Sequence, residues 1–102
     1  MRSESVIFWH RNDLRMSDNI GLSYAAREND SLIGLYIIDP KRFNSSNVSN
    51  AKKWFILESL KELKLNWQNS GSELLIIKGN PYEILPNLCK SINSKLIIWN
   101  KD

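Results

Sequence analysis

Four short apolar segments alternate with helical patterns along this chain. The apolar segments cover residues 6–9, 32–38, 74–77 and 96–99, and their apolar residues are mostly continuous rather than alternating with polar ones. Short continuous apolar runs are typical of strands that are buried on both faces, as in a parallel sheet. The pattern therefore predicts four parallel β-strands.

Three segments between these strands have apolar residues at helical spacing. The first predicted helix follows Asp18 as a capping candidate, and the second runs from about residue 50 to a stop at 70–71. The third starts at Asn80-Pro81, an N-cap residue followed by proline in the first helical position. The predicted helix faces contain Leu22, Ala25, Ala26 and Asn29 in the first helix, Ile56, Leu60, Leu63 and Trp67 in the second, and Ile84, Leu85, Leu88, Cys89 and Ile92 in the third.

The element order β-α-β-α-β-α-β predicts a Rossmann-like α/β domain with a parallel sheet, because strand–helix–strand crossovers are almost always right-handed. We expect the strand order 3-2-1-4, with the first two helices on one face of the sheet and the third on the other. The polar segment 40–50 is predicted to be a loop. One helix is too little to cover four strands, so apolar surface on that face and the open edge of the fourth strand predict self-association.

Composition narrows the class of protein. The chain has 102 residues, 42% hydrophobic and 25% charged, which fits one small globular domain. Its 14 basic and 11 acidic residues give a net charge of +3, which permits an anionic partner but is too mixed to indicate nucleic-acid binding. One histidine and one cysteine make a zinc site implausible. The single cysteine, with neither a signal peptide nor a membrane-spanning run, predicts a cytoplasmic protein.

The carboxyl ends of the predicted strands are the expected place for a ligand. In open parallel sheets ligands bind there, where the winding reverses, which in the order 3-2-1-4 lies between strands one and four. Arg11 and the segment 100–102 then flank one crevice. The four glycines form neither a G-x-G-x-x-G motif nor a Walker loop, so a dinucleotide held on the first helix is disfavoured.

Several separated motifs carry a resemblance to a known family. FWHRNDLRMSDNIGL (8–22) is followed in register by LIGLYIIDP (32–40), KKWFILESLKELKLNWQNSGSELLIIKGNP (52–81) and LIIWNKD (96–102). Together they resemble the N-terminal domain of the DNA photolyase and cryptochrome family, and most of all the microbial photolyases with a deazaflavin antenna. Asn12 departs from the second arginine that is usual in the family.

The resemblance implies that residues 1–102 are the antenna-binding α/β domain of a deoxyribodipyrimidine photolyase, which repairs cyclobutane pyrimidine dimers in DNA with light. We expect a fragment that ends before the family's fifth strand. By the same resemblance, the antenna is expected to be a deazaflavin, folate or FMN, while FAD and damaged DNA are expected to bind a helical domain that is absent from this chain. The resemblance further implies that the parent protein is a lyase, and the fragment alone is expected to be inactive, with no catalytic residue.

The resemblance also assigns binding roles to individual residues. Arg11 is expected to contact the polar edge of the antenna, and Lys52 lies where deazaflavin-type members often have arginine. Asn100 and Asp102 match the strand end that offers an amide and a carboxylate to the pigment, and Asp39 borders the same edge. No metal ligand is expected.

Structural roles and other functions compete with these assignments. We expect His10 to be a hydrogen-bonded residue at a strand end and the four tryptophans to pack in the core. A cryptochrome-type blue-light receptor shares the whole pattern. A small nucleotide-binding domain is disfavoured by the missing glycine loop, and a flavodoxin-like response module by Arg11, where that class needs acidic residues.

Overall fold

A computed structural model describes residues 5–11, 14, 19–28, 31–45, 48–94 and 96–100 of the protein. The elements follow the predicted order, with one additional short helix after the second strand. They are β1 (Val6–Trp9), α1 (Ile20–Glu28), β2 (Leu32–Ile38), α2 (Pro40–Phe43), α3 (Asn50–Asn69), β3 (Leu74–Lys78), α4 (Pro81–Ser91) and β4 (Leu96–Ile98).

The four strands form one parallel sheet in the order β3-β2-β1-β4. Phe8 at the centre is in register with Gly34 on β2 and with Ile98 on β4. The predicted fold class and strand order are therefore confirmed.

One face of the sheet is covered by α1 and α3. Gly34 on β2 lets α3 approach closely, because a Cβ at this position would lie 2.6 Å from the Trp67 ring. Two helices share this face, as right-handed crossovers require. The buried residues of this layer are Phe8, Leu22, Ala25, Leu63, Trp67 and Leu74.

The opposite face is covered by α4, which packs on Ile7, Leu35 and Ile37 through the predicted apolar stripe. The single helix lies over the two central strands, and Ile7, Leu35 and Ile37 beneath it are at most 7% exposed. The expected apolar exposure is therefore limited to the margin of this face, where Trp99, just beyond β4, remains 47% exposed.

The helix starts show two differences from the prediction. Asn19 caps α1, because its Oδ1 accepts from the Leu22 N–H at 3.0 Å, whereas the predicted cap Asp18 lies outside the described residues. The predicted loop 40–50 begins with α2, whose N-cap is Asp39. Its Oδ1 accepts from the Lys41 N–H at 3.1 Å, and Pro40 occupies the first helical position. An Asp-Pro pair favours this geometry for the same reason that Asn80-Pro81 starts α4.

The prediction that all four tryptophans are core residues is wrong for two of them. Trp67 is 1% exposed, but Trp54 is 64% exposed and Trp99 47% exposed. Trp54 lies outside the 56-60-63-67 stripe, so helical geometry turns it away from the sheet. Within the described part of the chain, none of the helices has both the length and the apolar character needed to cross a bilayer.

Candidate functional site

A cavity of about 410 Å³ lies beside the carboxyl ends of β1 and β2, between the sheet, α2 and the start of α3. Its walls are partly aromatic, with Phe43 from α2 and Phe55 from α3. Its polar groups come from four parts of the chain. They are Arg11 after β1, Tyr36 on β2, Asp39 and Arg42 at α2, and Lys52 on α3.

Arg11 reaches this cavity from the segment that follows β1. Its guanidinium carbon lies 5.2 Å from the centroid of the Trp9 ring, which is within the range of a cation–π contact. The contact holds a planar charged group near the end of the strand.

Asp39 lines the same cavity, and its carboxylate caps the start of α2. Oδ1 accepts from the Lys41 N–H at the start of α2. This cap fixes the turn that carries Arg42 and Phe43 into the cavity wall. The predicted binding residue therefore also builds the site locally.

Tyr36 contributes a phenol to the cavity wall. It lies two residues after Gly34 on β2, so strand alternation places it on the side of the sheet that α3 covers. Burial raises the pKa of the Tyr36 phenol, and the opposing effect of the Arg42 charge is smaller. The phenol therefore stays protonated at neutral pH and is able to donate a hydrogen bond to a ligand.

Lys52 stands in the first turn of α3. The helix is capped by Ser49, whose Oγ accepts from the Lys52 N–H at 3.1 Å. The next residue, Lys53, has its Nζ 5.7 Å from the centroid of the Phe43 ring, which links α3 to α2.

Asn100 does not line this cavity, although it was predicted to face Arg11 across a crevice between β1 and β4. Its Oδ1 accepts from the Gly21 N–H at 2.8 Å, and its Nδ2 donates to Asn19 Oδ1 at 2.6 Å. Both hydrogen-bonding groups of the side chain thus bind the start of α1. The second residue predicted at this end, Asp102, lies outside the described residues.

His10 has the predicted structural role. The side chain is 1% exposed, and Trp67 Nε1 donates to His10 Nε2 at 3.1 Å. Because Nε2 accepts, the neutral imidazole carries its proton on Nδ1. The ring also meets Phe8 edge-on, with centroids 4.9 Å apart.

The structure thus brings Arg11, Asp39 and Lys52 together and adds Arg42 and Tyr36, which sequence reasoning missed. Arg42 was missed because 40–50 was interpreted as a loop, although Asp39-Pro40 is a helix-start signal that places Arg42 one turn later. Tyr36 had no signal of its own, because it lies inside an apolar strand pattern. Among the described residues no cluster of histidine, cysteine, aspartate or glutamate is suited to hold a metal ion.

Comparison with known proteins identifies the family. The family model described as DNA photolyase matches residues 6–102. The chain belongs to the DNA photolyase family. The predicted resemblance to the photolyase and cryptochrome family is therefore confirmed, while the likeness to the deazaflavin-type members stays a prediction.

Relatives of this photolyase-family chain include a deoxyribodipyrimidine photo-lyase of Synechococcus sp., 38% identical over 97 residues, which cover 95% of this chain and 20% of the relative. The crystal structure of the Synechocystis sp. cryptochrome superposes with a TM-score of 0.89 at 28% identity, covering 100% of this chain and 23% of that one. An archaeal photolyase from Sulfolobus tokodaii, solved with two FAD molecules, matches with a TM-score of 0.76 at 31% identity, covering 96% of this chain and 23% of that one. The chain thus spans about a fifth of the length of these proteins.

Proposed function

We propose that residues 1–102 form the N-terminal antenna-binding domain of a deoxyribodipyrimidine photolyase, and that the cavity beside β1 and β2 holds the antenna pigment. The cavity carries this proposal, because a conjugated ring system needs a concave, partly aromatic site with a few polar groups. The deoxyribodipyrimidine photo-lyase relative at 38% identity supports the choice of enzyme class.

The walls of the cavity suit a planar pigment such as a deazaflavin, a folate or FMN. Phe43 and Phe55 offer aromatic surface for ring contacts, and the Tyr36 phenol offers a donor to a ring carbonyl or nitrogen. Arg11 and Lys52 are proposed to bind the polar edge of the pigment. Lys52 does so as a point charge, without the bidentate geometry of arginine.

The other predicted site residues, Asp39, Asn100 and Asp102, are proposed to act in different ways. Asp39 is proposed to border the pigment while it caps α2. Asn100 is proposed to act by positioning α1 and β4, because its side-chain oxygen and its NH2 group both hydrogen-bond there. A pigment contact by Asp102 stays a prediction.

The proposed parent activity is the light-driven splitting of cyclobutane pyrimidine dimers, a carbon–carbon lyase reaction. Reduced FAD, bound by a second helical domain of the same polypeptide, would supply the electron that splits the dimer. Residues 1–102 are proposed to contribute the antenna site and no catalytic residue, so that this chain alone is inactive in repair. That helical domain and damaged DNA are the proposed partners. A cytoplasmic location is supported by the single cysteine, which indicates a reducing compartment.

A pigment titration tests the proposed site. The chain is titrated with 8-hydroxy-5-deazaflavin, methenyltetrahydrofolate and FMN, and pigment fluorescence polarisation is followed. We expect saturable binding of at least one pigment, weakened about tenfold by Phe43→Ala, because the substitution removes aromatic surface that a bound ring would cover, worth about 1.5 kcal/mol. Tyr82→Ala is the control, since Tyr82 is an exposed aromatic residue outside the cavity. Absence of binding for all three pigments contradicts the proposal.

A cryptochrome-type blue-light receptor is the second candidate, favoured by the TM-score of 0.89 to the Synechocystis cryptochrome. The two candidates differ in what the complete polypeptide does to damaged DNA. Blue-light-dependent loss of cyclobutane dimers from an oligonucleotide supports the photolyase. Illuminated protein that binds FAD and leaves the dimers intact supports the cryptochrome.

A further inference from the structure

The one histidine of the chain lies in its core. His10 directly follows β1, is 1% exposed, and meets the rings of Phe8 and Trp67 edge-on. Its backbone N–H donates to the Leu35 carbonyl oxygen at 2.8 Å, which continues the pairing of β1 with β2 beyond the end of β1. The sheet therefore fixes the position from which the imidazole reaches α3.

The hydrogen bond between this imidazole and α3 requires the neutral ring. Trp67 Nε1 donates to His10 Nε2 at 3.1 Å, and an indole nitrogen is able to donate but not to accept. A protonated imidazole carries a hydrogen on both nitrogens and has no acceptor. Protonation of His10 would therefore turn two N–H groups toward each other and leave the buried indole N–H without its acceptor, which is costly.

Burial acts on His10 in the same direction. Removing an ionisable group from water disfavours its charged form, which for histidine is the protonated one. The rings of Phe8 and Trp67 that contact the imidazole belong to an apolar layer between the sheet, α1 and α3. The folded chain therefore favours neutral His10 through both a hydrogen bond and its surroundings.

Three other titratable side chains belong to the elements around this layer and are not exposed on α1, α3 or β3. Arg11 follows the imidazole in the chain, Tyr36 lies on the same side of β2, and Lys53 on α3 is held at the Phe43 ring. The remaining titratable side chains described on α1, α3 and β3 are exposed. Arginine and lysine stay charged and tyrosine stays neutral between pH 5.5 and 7.5, so His10 is the group of this layer that responds in that range.

We propose that His10 and Trp67 form an acid-sensitive latch between β1 and α3, in which protonation of His10 breaks their hydrogen bond and weakens the fold. The unfolded chain takes up this proton near the ordinary histidine pKa of about 6.5, whereas the folded chain resists it. The stability that the latch supplies is therefore present above this pH and is lost as the pH falls below it. Arg11 extends from the latched strand end to the cavity, so the latch also supports one cavity wall.

Urea denaturation at pH 7.5, 6.5 and 5.5 tests the latch in the unchanged chain and in His10→Gln. Glutamine offers a carbonyl oxygen that is able to accept the indole N–H, and it does not titrate. We expect the unfolding constant of the unchanged chain to rise about tenfold from pH 7.5 to 5.5, because the unfolded state alone binds the proton. In His10→Gln we expect a change of less than about twofold, since the titrating group is gone. Carboxylates contribute equally to both chains and cancel in the comparison.

Proton NMR of the folded chain follows the latch directly. The imidazole signals are assigned without ambiguity, because the chain has one histidine. We expect them to titrate at a pH below the ordinary histidine pKa of about 6.5, with the Trp67 indole N–H signal changing at the same pH. Trp67→Phe removes the opposing donor and is expected to move the titration toward higher pH. Trp54→Phe, the same change at an exposed position of α3, is expected to leave it in place.

Two results would overturn the latch. One is an unfolding constant of the unchanged chain that is constant from pH 7.5 to 5.5, or that depends on pH equally in His10→Gln. The other is an imidazole that titrates at or above about pH 6.5 in the folded chain, a measurement that needs no variant to fold. Pigment binding enters neither experiment, so the latch and the proposed function are tested separately.

Discussion

The contact between His10 and Trp67 shows how a polar residue is accommodated in the core. Both side chains are 1% exposed, and the indole N–H donates to the imidazole Nε2 at 3.1 Å. Buried polar groups are costly unless they find a partner, and here each satisfies the other. The pair also ties the end of β1 to α3, over 57 residues of sequence.

Replacing this donor is expected to destabilise the domain. Trp67→Phe removes the N–H bound to His10 and part of a buried ring, so we expect the free energy of unfolding to fall by about 2–4 kcal/mol. Urea denaturation followed by circular dichroism measures the change.

Trp54→Phe makes the same chemical change on the same helix at an exposed position. We expect it to alter the free energy of unfolding by less than about 0.5 kcal/mol. Equal effects of the two substitutions would contradict the importance given to the His10–Trp67 contact.

The Tyr36 phenol is expected to donate a hydrogen bond to the bound pigment. Tyr36→Phe removes the phenol and keeps the ring, so it tests the hydrogen bond that a protonated phenol donates. We expect pigment affinity to fall by about threefold to tenfold, which corresponds to one hydrogen bond of about 0.6–1.4 kcal/mol. Fluorescence polarisation measures it, with Tyr24→Phe, exposed on α1, as the control. An unchanged affinity would show that the phenol makes no bond to the pigment.

Between elements, the junction of β4 with α1 depends on one amide. Asn100 follows β4 and binds both the cap residue Asn19 and the backbone of Gly21. The approach is so close that a Cβ at Gly21 would overlap Asn100 Oδ1. The side chain thus holds the last strand to the first helix.

Asn100→Ala is therefore expected to act on stability rather than directly on the ligand. Loss of two hydrogen bonds should lower the free energy of unfolding by about 1–3 kcal/mol. Asn66→Ala, an exposed position on α3, serves as the control in the same urea denaturation. If Asn100→Ala left stability intact and abolished pigment binding, the residue would be a ligand contact instead.

At the scale of the whole molecule, β3 and β4 are the outer strands of the sheet within the described part of the chain. Trp99 packs edge-on against Trp9, with ring centroids 5.9 Å apart, and is still half exposed. Leu96 on the β4 edge is 48% exposed. Unpaired edges with apolar residues favour pairing with another chain.

We expect the chain to self-associate through the β4 edge, where Leu96 and Trp99 are exposed. Sedimentation velocity over a concentration series is expected to show dimers or larger species, which Trp99→Lys reduces because it places a charge in the contact. Trp54→Lys is the matched control, since it changes another exposed tryptophan, which lies on α3. A strictly monomeric chain at all concentrations, or equal effects of both substitutions, would contradict this prediction.

The sequence by itself determined every element except α2, the parallel sheet, its order and the faces on which α1, α3 and α4 lie. These follow from apolar periodicity and from the handedness of crossovers, which are local or nearly so. Asp39-Pro40 was an equally local signal for α2, and it was missed because the polar residues after it are typical of loops.

Only the tertiary structure decided where the cavity lies and which side chains meet there. The winding rule placed Arg11 opposite Asn100, but the Asn100 amide satisfies the start of α1, and Arg11 lines a cavity beside β2 with Arg42 and Lys52. The choice depends on hydrogen bonds and packing between residues up to 81 positions apart. Such partners compete in three dimensions, and sequence spacing does not encode the outcome.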